Sequence, residues 1–109
     1  MWLLLPALAC GGAELNQARV ADAQSSVRAA EAVGGNEQPK AALHLQLARD
    51  EIAEARRLAN DGDGAGANMM LDRAKVDAEL ALQLARTEQE QQKARQAWQK
   101  IQELKQEQP

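Results

Sequence analysis

The chain has 109 residues and a net charge of −3, and 45% of its residues are hydrophobic, yet it contains neither Phe nor Tyr and only two Trp. Alanine supplies 23 residues and glutamine another 13. Because an alanine side chain buries little apolar area, this composition argues against a thick globular core or a deep ligand pocket. It is typical of long helices instead. The net negative charge also gives no sign of the basic surface that nucleic-acid-binding proteins carry, so we expect no nucleic-acid partner.

The first nine residues differ from the rest, because Met1–Ala9 is apolar and uncharged. The segment is too short to span a bilayer as a helix, and it fits the apolar part of a signal peptide. Ala7-Leu8-Ala9-Cys10 resembles a bacterial lipobox, which implies removal of residues 1–9 and lipidation of Cys10, the only cysteine. No basic residue precedes the run, so we hypothesise that the reading frame begins further upstream. The alternative is a retained hydrophobic N-terminus with a buried or free thiol.

Three helices follow, predicted at about 14–33, 39–60 and 65–86. Spacings of three and four residues define one apolar face on each of the first two. Gly34-Gly35 ends the first helix, and Pro39 suits the first turn of the second. These faces consist of Val20, Ala23, Val27 and Ala30 in the first helix, and of Leu45, Ala48, Ile52, Ala55 and Ala59 in the second, widened by Ala41 and Leu58.

The third helix carries two adjacent stripes and continues into a polar extension, residues 87–109. Met69, Val76, Leu80 and Leu84 form one stripe, and Met70, Ala74, Ala78, Ala81 and Ala85 form its neighbour. We expect Met69 and Met70 to belong to the core rather than to an adaptable binding face. The predicted fold is all-α: an antiparallel helical hairpin or three-helix bundle with a long, coiled-coil-like C-terminal helix.

Apolar residues return in the glutamine-rich extension as Ala94, Ala97, Trp98, Ile101 and Leu104. One interpretation makes Trp98, Ile101 and Leu104 a contact surface for a partner, either an envelope protein or a second copy of the chain. The other interpretation is a solvated helical tail whose Trp packs intramolecularly.

Two sets of residues are candidates for chemistry. Asp61, Asp63, Gly66 and Asp72 match positions 1, 3, 6 and 12 of a calcium-binding loop, but Ala65 and Met69 stand where oxygen ligands belong, which favours a helix-capping turn. His44, the only histidine, has Lys40 and Ala48 as its helical neighbours, so no carboxylate one turn away orients it. We therefore predict no catalytic residue, metal site or cofactor, and no small-molecule substrate is evident.

The ordered set Ala30-Glu31-Ala32, Gly34, Pro39, Leu43, Ala48 and Ile52 resembles the bacterial envelope family named domain of unknown function 4398. So does the continuation Ala55, Leu58-Ala59, Gly62-Asp63, Ala67, Leu71, Ala74 and Asp77-Ala78. The resemblance covers about residues 18–86. It implies a short helical protein, commonly a lipoprotein, and assigns no catalytic residues.

The sequence therefore predicts a noncatalytic helical lipoprotein of the bacterial cell envelope that acts as a structural or interaction module. Acylated Cys10 would bind membrane lipid, and Gly11 after it favours the outer membrane, with the protein facing the periplasm. The alternative is a soluble helical adaptor or chaperone-like binder with an uncleaved N-terminus.

Overall fold

The structure, a computed structural model, describes residues 14–108, and all regular structure in that range is helical. Helix α1 spans Gln17–Ala32, α2 spans Pro39–Asn60 and α3 spans Gly64–Gln106. The predicted all-α fold with a long C-terminal helix is confirmed. At 1.5 Å per residue, the 43 residues of α3 extend about 64 Å, roughly twice the length of α2.

Polar side chains and glycines define the helix ends. The Asn16 side chain accepts hydrogen bonds from the Ala18 and Arg19 amides at the start of α1, and the Asp63 side chain accepts one from the Gly66 amide at the start of α3. After α1 the backbone of Gly34 adopts φ +84°, a conformation that glycine takes at little cost. Gly35 follows in a buried position, where a Cβ atom would lie 2.7 Å from the carbonyl oxygen of Ala30. The two glycines therefore have separate roles in one turn.

The core is a narrow apolar strip that repeats at alternating intervals of three and four residues. In α3 the buried residues are Gly64, Ala67, Leu71, Ala74, Ala78, Ala81 and Ala85. The faces predicted for the first two helices are confirmed, since Val20, Ala23, Val27 and Ala30 of α1 and Ala41, Leu45, Ala48, Ile52 and Ala55 of α2 are all buried. Ala59 and Leu58 pack against them half-buried. So many small side chains let the helix backbones approach closely, which supplies the dispersion contacts that large side chains would otherwise make.

Helix α1 covers one side of the α2–α3 hairpin. Its contacts with α3 include an ion pair between Arg19 Nη1 and Asp72 Oδ2 at 2.7 Å, and Glu31 of α1 pairs with Arg49 of α2. These side chains remain exposed to solvent, so the pairs help to orient the helices more than they stabilise the fold. The opposite side of the hairpin carries no helix among the described residues.

Of the two stripes described for α3, the one that holds the large residues lies mostly outside the core. Met69, Val76 and Leu80 are exposed, whereas the neighbouring alanine stripe is buried. Met70 and Leu84 are half-buried at the edge of the core. The prediction that Met69 is a core residue is therefore wrong. Close helix approach leaves room for alanine between the helices and turns the larger side chains outward.

Candidate interaction surface

Beyond the bundle, α3 changes the face on which its apolar residues lie. Continuing the buried pattern past Ala85 at the same alternating intervals reaches only polar residues: Glu88, Gln92, Arg95, Gln99 and Gln102. At about 100° per residue, Ala94 and Ile101 lie about 180° and 160° around the helix from Ala85. The apolar residues of the extension therefore cannot prolong the intramolecular core.

The partner-contact residues predicted in the extension are exposed. Trp98 is 61% exposed, Ile101 44% and Leu104 50%. They lie in a stretch, Gln89 to Gln108, in which every residue is exposed. The prediction that these residues bind a partner stays a prediction, and so does the interpretation as a solvated helical tail, although Trp98 is too exposed for most of its ring to pack intramolecularly.

Exposed apolar residues of the bundle and of the extension fall on positions of α3 that recur at alternating intervals of four and three residues, which is a seven-residue frame on one face of the helix. We call this set the outer stripe: Met69, Val76, Leu80, Ala94, Ala97, Ile101 and Leu104. Positions Arg73, Gln83, Thr87 and Glu90 complete the frame, so the apolar character is interrupted in the middle of the helix. Within the bundle, a shallow depression of about 300 Å³ lies on this stripe, lined by Asp72, Arg73, Val76 and Asp77.

A polar cluster joins α2 to α3 at the edge of the outer stripe. His44 Nδ1 lies 2.9 Å from Asp77 Oδ1, and both side chains are mostly buried. No carboxylate lies one helical turn from His44 within α2, but Asp77 approaches it from the antiparallel helix, 33 residues away. His44 and Asp77 lie at about equal distances along the chain from the turn between α2 and α3, and residues so placed come side by side in an antiparallel hairpin. This spacing is the only signal in the sequence that could have predicted their contact.

Glu51 belongs to the same cluster. Burial of its carboxyl raises the pKa to about 7, and a hydrogen bond to Asp77 together with repulsion from the Asp77 and Asp50 carboxylates acts in the same direction, partly opposed by Arg73. Among the described residues no donor reaches the buried Oε2 atom. A protonated Glu51 carboxyl carries an O–H group that can donate to Asp77. Nothing in the sequence singles out Glu51, because its environment depends on residues of another helix.

The aspartates that matched a calcium loop each have another role. Asp63 caps α3, Asp61 pairs with Arg57, and Asp72 pairs with Arg19. Within residues 14–108, no group of His, Cys, Asp or Glu side chains is arranged to hold a metal ion.

A cleft lies where α3 leaves the bundle. It has a volume of about 670 Å³, and Glu31, Glu37 and Glu88 contribute carboxylates to its walls. Nearby, Gln89 Nε2 donates a hydrogen bond of 2.7 Å to the carbonyl oxygen of Val33, which ties α3 to the turn after α1. The cleft is open and holds no nucleophile paired with a base.

The predicted lipidation site, Cys10, lies outside the described residues. Among the helices that the structure describes, none is both long and apolar enough to cross a membrane.

The family model described as domain of unknown function (DUF4398) matches residues 13–97. The chain belongs to this family. The DUF4398 match contains the whole three-helix bundle and the start of the extension, whereas Cys10 and the predicted contact residues Trp98, Ile101 and Leu104 lie outside it. No curated protein and no solved structure matches the chain.

Proposed function

We propose that this DUF4398 protein is a noncatalytic helical module of the bacterial cell envelope, anchored to the membrane through acylated Cys10 and acting through protein interaction. The observation that supports it most is the outer stripe of α3. Exposed apolar side chains continue on this stripe beyond the end of the bundle, on the face opposite the buried alanines. Exposed apolar residues that recur on one face of a helix are typical of a protein-binding face, and here they form two segments on the same face.

The proposed anchor is supported by the sequence Ala7-Leu8-Ala9-Cys10. A diacylated and N-acylated cysteine carries three chains, and two already hold a protein firmly on a bilayer. We propose the outer membrane as its location, with the bundle in the periplasm. There, the long α3 would carry the contact residues away from the body of the bundle.

The anchor is tested by expressing the full chain and its Cys10→Ser variant in a Gram-negative host and separating the membranes. We expect the full chain in the outer membrane with incorporated radiolabelled palmitate, and loss of both label and membrane association in the variant. Ser25→Ala, a substitution on the exposed surface of α1, serves as the matched control and should behave like the unmodified chain.

Two results would contradict the anchor. One is a Cys10→Ser variant that stays in the membrane fraction. The other is a mass spectrum of the full chain that retains unmodified Met1 and Cys10, together with recovery from the cytoplasm. That second result would favour the alternative, a soluble helical adaptor with an uncleaved N-terminus.

A further inference from the structure

The outer stripe lacks a cover within the described part of the molecule. Eight large hydrophobic residues of the described chain are exposed, and six of them lie on α3: Met69, Val76, Leu80, Trp98, Ile101 and Leu104. The other two, Leu43 and Leu47, flank His44 on α2. Because His44 contacts Asp77, Leu47, which lies one turn further along α2, borders the same side of α3. A single elongated partner lying along α3 could therefore cover Leu47 as well.

We propose that this partner is a second copy of the chain, whose α3 packs antiparallel against the outer stripe about a two-fold axis between residues 88 and 89. This proposal names the partner of the interaction surface proposed above and rests on that surface, but it does not depend on the lipid anchor. A two-fold axis makes each contact occur twice, as in most homodimers.

The lengths of the two halves of α3 match. Residues 64–86, which pack in the bundle, extend about 35 Å, and residues 87–106, which project from it, extend about 30 Å. In the antiparallel arrangement the projecting half of each copy lies along the bundle half of the other. Each extension then covers apolar residues of the other copy's bundle that would otherwise face water.

The antiparallel register also matches side-chain sizes. In an antiparallel coiled coil, each apolar position of one helix packs beside an apolar position of the other. A two-fold axis between residues 88 and 89 places Val76 opposite Ile101 of the second copy and Leu80 opposite Ala97 of the second copy. The depression beside Val76 offers space for the Ile101 side chain. The polar positions Thr87 and Glu90 meet each other close to the axis, where a hydroxyl can donate a hydrogen bond to a carboxylate.

Charge favours the same arrangement. Residues 93–105 of the extension contain four basic residues and one acidic residue, a net charge of +3, whereas residues 14–86 contain nine basic and twelve acidic residues, a net charge of −3. The antiparallel register brings this basic segment onto the acidic bundle, with Lys100 beside Glu79 of the second copy. A parallel pair in register would instead place Arg73 against Arg73 and Glu90 against Glu90 inside the apolar seam, which is unfavourable.

Trp98 lies beside the frame rather than within it. In this register it is next to Asp77 of the second copy, on the side of α3 where Leu47 of α2 is exposed. Its indole can bury against that leucine while its N–H remains able to donate to a carboxylate. Trp98 is therefore expected to contribute a large share of the contact energy.

The oligomeric state is tested with the full chain carrying Cys10→Ser, which removes the only native thiol. Light scattering after gel filtration should give a mass about twice the 11.8 kDa of one copy. Adding Ile101→Asp should shift the protein to the monomer without changing its circular dichroism at 222 nm. Gln99→Asp makes the same charge change on the other face of α3 and should remain a dimer.

Cross-linking tests the direction and register of the helices. In the same background, a Leu80→Cys chain mixed with an Ala97→Cys chain should form a mixed dimer with a short bismaleimide. Each chain alone should react at least tenfold more slowly, since the two copies of either residue lie about 25 Å apart along the axis. Fast self-linking of Leu80→Cys would indicate a parallel pair. Fast self-linking of Ala97→Cys would indicate a parallel pair or a contact between the projecting ends alone.

Either pattern of self-linking would overturn the proposal, as would a monomeric full chain or a dimer that persists with Ile101→Asp. A monomer whose Trp98 and Ile101 still capture another envelope protein would overturn the second copy as partner and leave the interaction surface in place. A monomer that captures nothing would also refute the interaction surface.

Discussion

Replacing Glu51 by Gln should stabilise the protein at alkaline pH and leave its stability unchanged in acid. In the folded protein, burial and the neighbouring Asp77 raise the pKa of Glu51 from 4.5 to about 7. The folded state therefore holds this proton more tightly than the unfolded chain does. Below pH 4.5 the Glu51 carboxyl is protonated in both the folded and the unfolded state, so it carries no penalty. As the pH rises from 4.5 to 7 the free energy of unfolding falls, and above pH 7 the penalty from the buried carboxylate keeps a constant size.

The size of the penalty follows from the shift. A shift from 4.5 to about 7 corresponds to at most about 3 kcal/mol at about 1.36 kcal/mol per pH unit. Glu51 retains some contact with solvent, which screens the interaction, so we expect Glu51→Gln to gain about 1–2 kcal/mol at pH 8. For a domain of this size that gain raises Tm by about 4–16 °C, at about 4–8 °C per kcal/mol. The amide group that the substitution introduces would also donate to Asp77, so the cluster keeps a hydrogen bond.

The assay is urea unfolding followed by circular dichroism at 222 nm, repeated from pH 4.5 to pH 8. Glu54→Gln is the matched control: it makes the same charge change three residues along α2, where a hydrogen bond from Arg57 lowers the pKa of the exposed carboxyl. The control should show no gain at pH 8. An equal effect of Glu51→Gln at pH 4.5 and pH 8, or no gain at pH 8, would refute the account of the buried carboxyl.

Three further substitutions test the fold, each by the free energy of unfolding in urea. Gly35→Ala should cost about 1–3 kcal/mol, because its Cβ would collide with the Ala30 carbonyl, and a neutral result would contradict the tight turn. Leu45→Ala should cost about 2–5 kcal/mol, because the side chain is fully buried, whereas Leu43→Ala, two residues away and exposed, should cost well under half as much. Asp63→Ala should cost about 1 kcal/mol through loss of the α3 cap, and no change would indicate that another group satisfies the Gly66 amide.

The helices and their core faces could be predicted largely from local chemistry. The residues Gly34-Gly35, Pro39 and Asp63 mark helix ends through backbone conformation, a missing amide hydrogen and a capping carboxylate. The spacing of Val20, Ala23, Val27 and Ala30 identifies the buried face of α1, because a helix brings those positions to one side. These features depend only on neighbours within a few residues.

The choice between two stripes of α3 could not be predicted in the same way. Met69, Val76 and Leu80 are more hydrophobic than the alanines beside them, and hydrophobicity alone favours burying them. Only the tertiary structure shows that the alanines face α1 and α2. The closeness of the helices decides this, since the space between them fits small side chains.

The composition by itself therefore determined that the protein is a thin helical bundle, because alanine-rich faces form helices and cannot fill a thick core. Tertiary structure decided which residues stay in water and which charged groups share an environment. His44, Glu51 and Asp77 meet only because α2 and α3 run antiparallel, and that meeting raises the pKa of Glu51. In the same way, the outer stripe is exposed because the alanine stripe occupies the core.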